Sequence, residues 1–177
     1  LLLGLTGPIL GQTVAPLELP LDLSGDLNLG TIQLAQGFVV TAIVHRPGGQ
    51  AVDNCDLDCQ DQLSGETLYT PSDNTNSSGL VDTIVPAGTY SFEFCPPANL
   101  MLAASRVGPV AIGGNTFLGI VNLVNGVTLS GNLTSVTGVQ VANAHVKVFD
   151  QATGNAIPVC DNNSNGNGHS QVIVPPG

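Results

Sequence analysis

The chain has 177 residues with 13 acidic side chains against three basic ones, Arg46, Arg106 and Lys147, for a net charge of −10. With no basic patch to displace phosphate counterions, it is not built to bind nucleic acid. No run approaches the ~18–20 apolar residues that cross a bilayer as a helix, so the chain is not expected to span a membrane. Few charges and many Gly, Asn, Thr, Ser and Val residues make the composition of a secreted, turn-rich all-β protein.

In chain order, Leu1-Leu2-Leu3-Gly4-Leu5 is short and apolar. It reads either as the tail of a signal-peptide core or as a strand. Leu17 to Leu23 alternates apolar and polar, the period-2 mark of a strand with one buried face. Pro20 within it lacks an N–H to donate and places it at a sheet edge. Ser24-Gly25-Asp26 turns the chain; Leu27–Leu34 and Phe38–Val44 read as further strands, followed by the turn Arg46-Pro47-Gly48-Gly49. Cys55, Leu57 and Cys59 share an inward parity, with Asp56 and Asp58 outward. After a polar loop over 71–79 come strands at Leu80–Val85 and Tyr90-Phe92-Phe94, a stop at Pro96-Pro97, and strands at Val107–Ile112 and Phe117–Leu123. Nothing reads as a long amphipathic helix. The charge follows the chain unevenly: residues 1–97 hold eleven acids against Arg46, whereas residues 98–177 are neutral.

One stretch occurs twice. Ile84-Val85-Pro86-Ala87-Gly88 returns as Ile173-Val174-Pro175-Pro176-Gly177, a spacing of 89. At the same offset Gly30 meets Gly119, Leu34 meets Leu123, Gly37 meets Gly126, Val52 meets Val141, Asn54 meets Asn143, Asp61-Gln62 meets Asp150-Gln151, and Gly79 meets Gly168. So many in-register identities define a tandem repeat. The expected architecture is two tandem antiparallel β-sandwich repeats of the immunoglobulin or prealbumin kind. Residues 36–124 form a complete repeat, and residues 125–177 an incomplete one of 53 residues. Residues 1–35, slid by 89, lie on 90–124, the closing third of a repeat: Leu1, Leu3 and Leu5 fall on Tyr90, Phe92 and Phe94, and Pro20 on Pro109.

The strand opening, the turn, "HVKVFDQATG", the Asn/Gly-rich loop, "VPAGTY" and the Pro pair carry a family resemblance. Over residues 38–62, 79–94 and 127–177 the chain resembles the prealbumin-like repeats of microbial surface and pilus proteins, the carboxypeptidase-regulatory-like and collagen-adhesin B-type domains. That resemblance implies stalk segments, spacers or pilus subunits, and occasionally starch- or protein-binding units.

Candidate sites are few. Asp161, Asn163 and Asn165, with Gly166, open like a calcium loop, but Val172 stands where the bidentate acid belongs, so no metal is expected. No Ser, Cys or carboxylate set surrounds His45, His145 or His169, so neither an enzyme nor a cofactor is expected. Asn76, Asn132 and Asn162 head glycosylation sequons, leaving glycans as possible additions. Cys55 and Cys59, about 13 Å apart along a strand, exceed the ~7 Å limit for a disulfide. Cys95 is the expected partner of one of them, which leaves Cys160 as a free core thiol or a staple to another chain.

The function expected from these readings is a structural subunit of an extracellular, cell-surface filament or pilus, with itself as partner. Residues 1–35, through Leu1, Leu3, Leu5, Leu17, Leu19, Leu21 and Leu23, donate strands into the incomplete repeat of the next copy. The alternatives are a fragment of a longer multi-repeat stalk or adhesin, and an accessory binding module of a secreted enzyme.

Overall fold

Alternating apolar sequence becomes strand wherever an edge is available to pair with, and the computed structural model, which describes residues 1–5 and 13–177, is all-β on that principle. The strands are β1 (Leu2–Leu5), β2 (Leu17–Pro20), β3 (Gly37–His45), β4 (Asp56–Asp61), β5 (Leu80–Pro86) and β6 (Gly88–Cys95). They continue with β7 (Ser105–Ile112), β8 (Thr116–Asn122), β9 (Val127–Asn132), β10 (Val148–Phe149), β11 (Ala156–Ile157) and β12 (His169–Val174). Among the described residues no helix is long and apolar enough to cross a membrane.

Residues 36–124 hold two three-stranded sheets, β5-β3-β8 and β4-β6-β7, packed face to face. All pairings are antiparallel except β3 with β8, which run parallel because the chain returns from β7 across the sandwich before it pairs. The inward side chains of both sheets make one core: Val40, Ala42 and Val44 of β3, Leu57 and Cys59 of β4, Val81 and Val85 of β5, and Tyr90, Phe92 and Phe94 of β6, all at most 1% exposed. Val121 and Leu123 close its end. The largest side chains lie on β6, so this strand contributes most to the seal.

The 89-residue period holds at the level of single hydrogen bonds. The Thr75 hydroxyl donates to the Val52 carbonyl (2.7 Å) and accepts from the Cys55 N–H (2.7 Å). The Ser164 hydroxyl donates to Val141 O (2.7 Å) and accepts from the Ala144 N–H (2.9 Å). Backbone conformation repeats too: Asn54 and Asn143 both have φ 56°, and Gly79 and Gly168 have φ 73° and 71°. At these two glycines a Cβ would stand 2.5 Å from the carbonyl oxygen of Val44 or Leu133, so glycine is required twice for one reason.

Two expectations change here. Residues 27–34 form no strand; Leu27 and Leu29 are 53% and 38% exposed. Their counterpart β8 pairs with β3, and residues 27–34 have no such edge beside them. The gap-free offset also fails near the front. The Ala15 N–H donates to Ala35 O (2.9 Å) as that of Ala103 does to Val124 O (3.0 Å), an offset of 88 for the donors and 89 for the acceptors. Pro20 therefore falls on Gly108 rather than Pro109.

Candidate functional site

The front of the chain copies the hairpin that seals the first core. β1 and β2 pair antiparallel, Leu3 with Leu19, Gly4 with Glu18 and Leu5 with Leu17. Moved by 89 and 88 respectively, these pairs land on Phe92–Val107, Glu93–Arg106 and Phe94–Ser105, the ladder observed between β6 and β7. The pairing extends to Leu1 and Leu21, whose backbones exchange a hydrogen bond of 2.8 Å. β1 and β2 form a sheet of their own. Leu1 is 80% exposed; Leu3, Leu5, Leu17, Leu19 and Leu21 are half-buried, and Leu23 is exposed. Residues 6–12 of the front segment lie outside the described residues.

Residues 125–177 hold the shorter strands β9 to β12. β9 pairs with β12 and β10 with β11, and the loop contacts of 143–165 match those of 54–76. Ser170 and Val172 of β12 are buried, but several other inward positions are open to solvent. Leu129 and Val141 are 49% and 37% exposed, whereas their counterparts Val40 and Val52 are sealed at 0% and 1%. Ala144, Val146 and Val148, counterparts of Cys55, Leu57 and Cys59, are only half-buried. Ser170, at the position of Val81, has a buried hydroxyl with no hydrogen-bond partner among the described residues.

Between the repeats runs a groove of about 280 Å³ lined by Asp58, Glu93 and Arg106 from one side and His145, Lys147 and Asn162 from the other. Arg106 pairs with Glu93. A Cys95–Cys160 disulfide crosses beside this groove and ties β6 to the second repeat. The expected bond from Cys95 to Cys55 or Cys59 is thus corrected. Tyr90, Phe92 and Phe94 point inward, so Cys95 has the outward parity and sits opposite Asp56, whereas Cys55 and Cys59 face the core as free thiols. Burial, aided by Asp56 at Cys55 and by Asp61 at Cys59, pushes both thiols up to about 12 and keeps them protonated and unreactive.

The other candidates do not converge. Asn165 Oδ1 accepts the N–H groups of Asn167 (2.9 Å) and His169 (3.0 Å) in a loop turn, as Asn76 Oδ1 accepts those of Ser78 (2.9 Å) and Leu80 (3.2 Å). Asn163 bridges to His145, and Asp161 lines a separate pocket beside Cys95 and Cys160. Asn76 and Asn132 are exposed, and Asn162 is half-buried 3.3 Å from His145 Nε2.

Asp56 and Asp58 project into the groove region, and both carboxyls are raised above the ordinary carboxylate value. Burial is the first cause at each; next come Asp73 at Asp56, and Asp56 and Glu93 at Asp58. A carboxyl raised by folding binds more protons in the native state, so stability falls as pH climbs past the unfolded value near 3.8 toward the raised one. Asp61 and Asp150 act oppositely: hydrogen bonds from Ser64 and Leu63, and from Thr153, lower them. Their contribution is complete above 3.8 and is lost only in stronger acid. The melting temperature is therefore expected to rise as pH is lowered from neutral toward that value. Asp58→Asn should flatten this rise in a calorimetric series, and an unchanged slope in the variant would refute the assignment.

No protein-family model and no curated protein matches the chain. Among solved structures, the chain is similar to the Bacillus anthracis TIE protein at 12% identity and TM-score 0.39, over 82% of this chain and 28% of that one. It is similar to a streptococcal ancillary pilin at 14% identity and TM-score 0.39, over 98% and 62% of the two chains. A third similarity, to a cohesin–X-dockerin complex from Acetivibrio cellulolyticus, has 12% identity and TM-score 0.36, over 58% and 64%. The chain thus spans less than a third of the first of these proteins and under two thirds of the other two.

Proposed function

We propose that the chain is a structural subunit of an extracellular filament, polymerised head to tail. Residues 1–35 of one copy complete the sandwich of residues 125–177 in the next, and residues 36–124 form the self-sufficient unit between them. The observation that carries this reading is a matched pair of surfaces. The inward face of the second repeat is open at Leu129, Val141, Val146 and Val148, and the front of the chain holds a hairpin with the ladder of β6–β7. Residues 27–33, counterparts of β8, lie unpaired in the same segment and fit the free edge of β9.

Strand addition of this kind joins backbone hydrogen bonds of roughly 0.5–1.5 kcal/mol each net to leucines worth about 1.5–3 kcal/mol each when fully buried. Donor and acceptor sit at different ends, so the contact is heterologous and propagates as an open fibre unless its rotation closes a ring. A disulfide between repeats suits an oxidising, extracellular setting, and the exposed sequons Asn76 and Asn132 are placed to carry glycans there.

The test is deletion of residues 1–16, which removes β1. Soluble monomers whose second repeat melts early are expected; unchanged filaments would overturn donation. The mass of filament material under denaturing, reducing conditions separates this arrangement from a continuous polypeptide of many repeats, which would run far above 18.0 kDa.

A further inference from the structure

The registers also place charges beside the front hairpin that differ between the two repeats. On the outer face of the first sandwich, β4 pairs Asp58 with Glu93 of β6, and β6 pairs Glu93 with Arg106 of β7. The layer across the three strands therefore reads acid, acid, base, with Arg106 bound to Glu93. The corresponding positions are Lys147 in the second repeat and Gly4 and Glu18 in the front hairpin, where Gly4 pairs with Glu18. Completing the second repeat in the β4–β6 register sets Val146 opposite Leu5, Lys147 opposite Gly4 and Val148 opposite Leu3. The layer then reads base, glycine, acid. Both end charges are inverted relative to the first sandwich.

Resting on the strand-donation reading above, we propose that Lys147 of one copy and Glu18 of the next form an ion pair across Gly4, and that this pair directs the front hairpin to a second repeat rather than to a first. Lys147 and Glu18 are both exposed in the single chain, so each is available. Two strand spacings separate their backbones by about 9.6 Å, a span that a lysine and a glutamate close together. The central residue has no side chain to intercept the lysine, as Glu93 intercepts Arg106. A Cβ on Gly4 would stand 3.2 Å from the Tyr69 ring of its own chain.

The inversion penalises one error. The front hairpin inserted into a first repeat would set Glu18 toward Asp58 with no base between them, and opposing like charges is the arrangement by which an interface rejects competitors. Lys147 also lines the groove with Asp58 of its own chain, so Asp58 is the rival partner.

The experiment measures the critical concentration for filament growth of the full chain. Lys147→Asp is expected to raise it about five-fold, the scale of a surface ion pair turned into a repulsion. Adding Glu18→Arg in the same chain rebuilds the Asp58–Arg106 arrangement and should return it to the wild-type value. In mixtures, a Glu18→Arg donor should add to Lys147→Asp ends and not to wild-type ends. An unchanged critical concentration in Lys147→Asp, or rescue by Asp58→Lys in place of Glu18→Arg, would overturn the pair. Donation itself stands or falls separately, on the deletion of residues 1–16.

Discussion

Phe92→Ala is expected to lower the stability of the first repeat by about 3–5 kcal/mol, the cost of removing a large aromatic from a close-packed core. Phe92 is 0% exposed, lies between Tyr90 and Phe94 on the strand that seals the sandwich, and packs 6.3 Å ring to ring from Tyr90. Leu3 occupies the corresponding place in the front hairpin but is only half-buried there. Leu3→Ala should therefore leave the melting of the single chain nearly unchanged, while weakening assembly by about 2–3 kcal/mol once the side chain is buried in a neighbour. Chemical denaturation of both variants, with sedimentation of assembled material, checks the contrast. A Leu3→Ala chain that unfolds as readily as Phe92→Ala would mean that β1 already sits in a core of its own chain.

The second large effect concerns the bond between the repeats. Cys95→Ala with Cys160→Ala opens a loop of sequence separation 65, and a bridge of that span typically contributes about 2–4 kcal/mol through the unfolded chain. The loss should fall on residues 125–177, because the first repeat retains its whole core without the bond and the second does not. Hydrogen exchange should show protection lost at β9 and β12 while β3 and β6 stay protected. Equal loss in both repeats would show that the bond supports the first sandwich as well. The variant Cys55→Ala probes a different quantity: it leaves the bond intact and removes only the volume of a core thiol.

The period of 89 and the alternation within each strand are local properties, so the all-β class, strands β3 to β8 and the inward set of Cys55, Leu57 and Cys59 were legible from residues alone. The matching hydrogen bonds of Thr75 and Ser164 came from the structure, each spanning 20 residues or more. The parity of Cys95, one residue beyond the alternating Tyr90, Phe92 and Phe94, already argued against the expected bond to Cys55 or Cys59, which the structure replaces with Cys95–Cys160. What joins Cys95 to Cys160 is the approach of one repeat to the next, a long-range contact that no spacing encodes. The failure of Leu27–Leu34 to form a strand has the same origin. Its residues have the pattern, but a strand exists only when another edge satisfies its N–H and C=O groups. The parallel run of β8 beside β3 depends likewise on how loops close in three dimensions. Sequence determined which faces are apolar and which positions correspond; only the tertiary structure decided which faces are covered, because burial belongs to pairs of surfaces and not to either one.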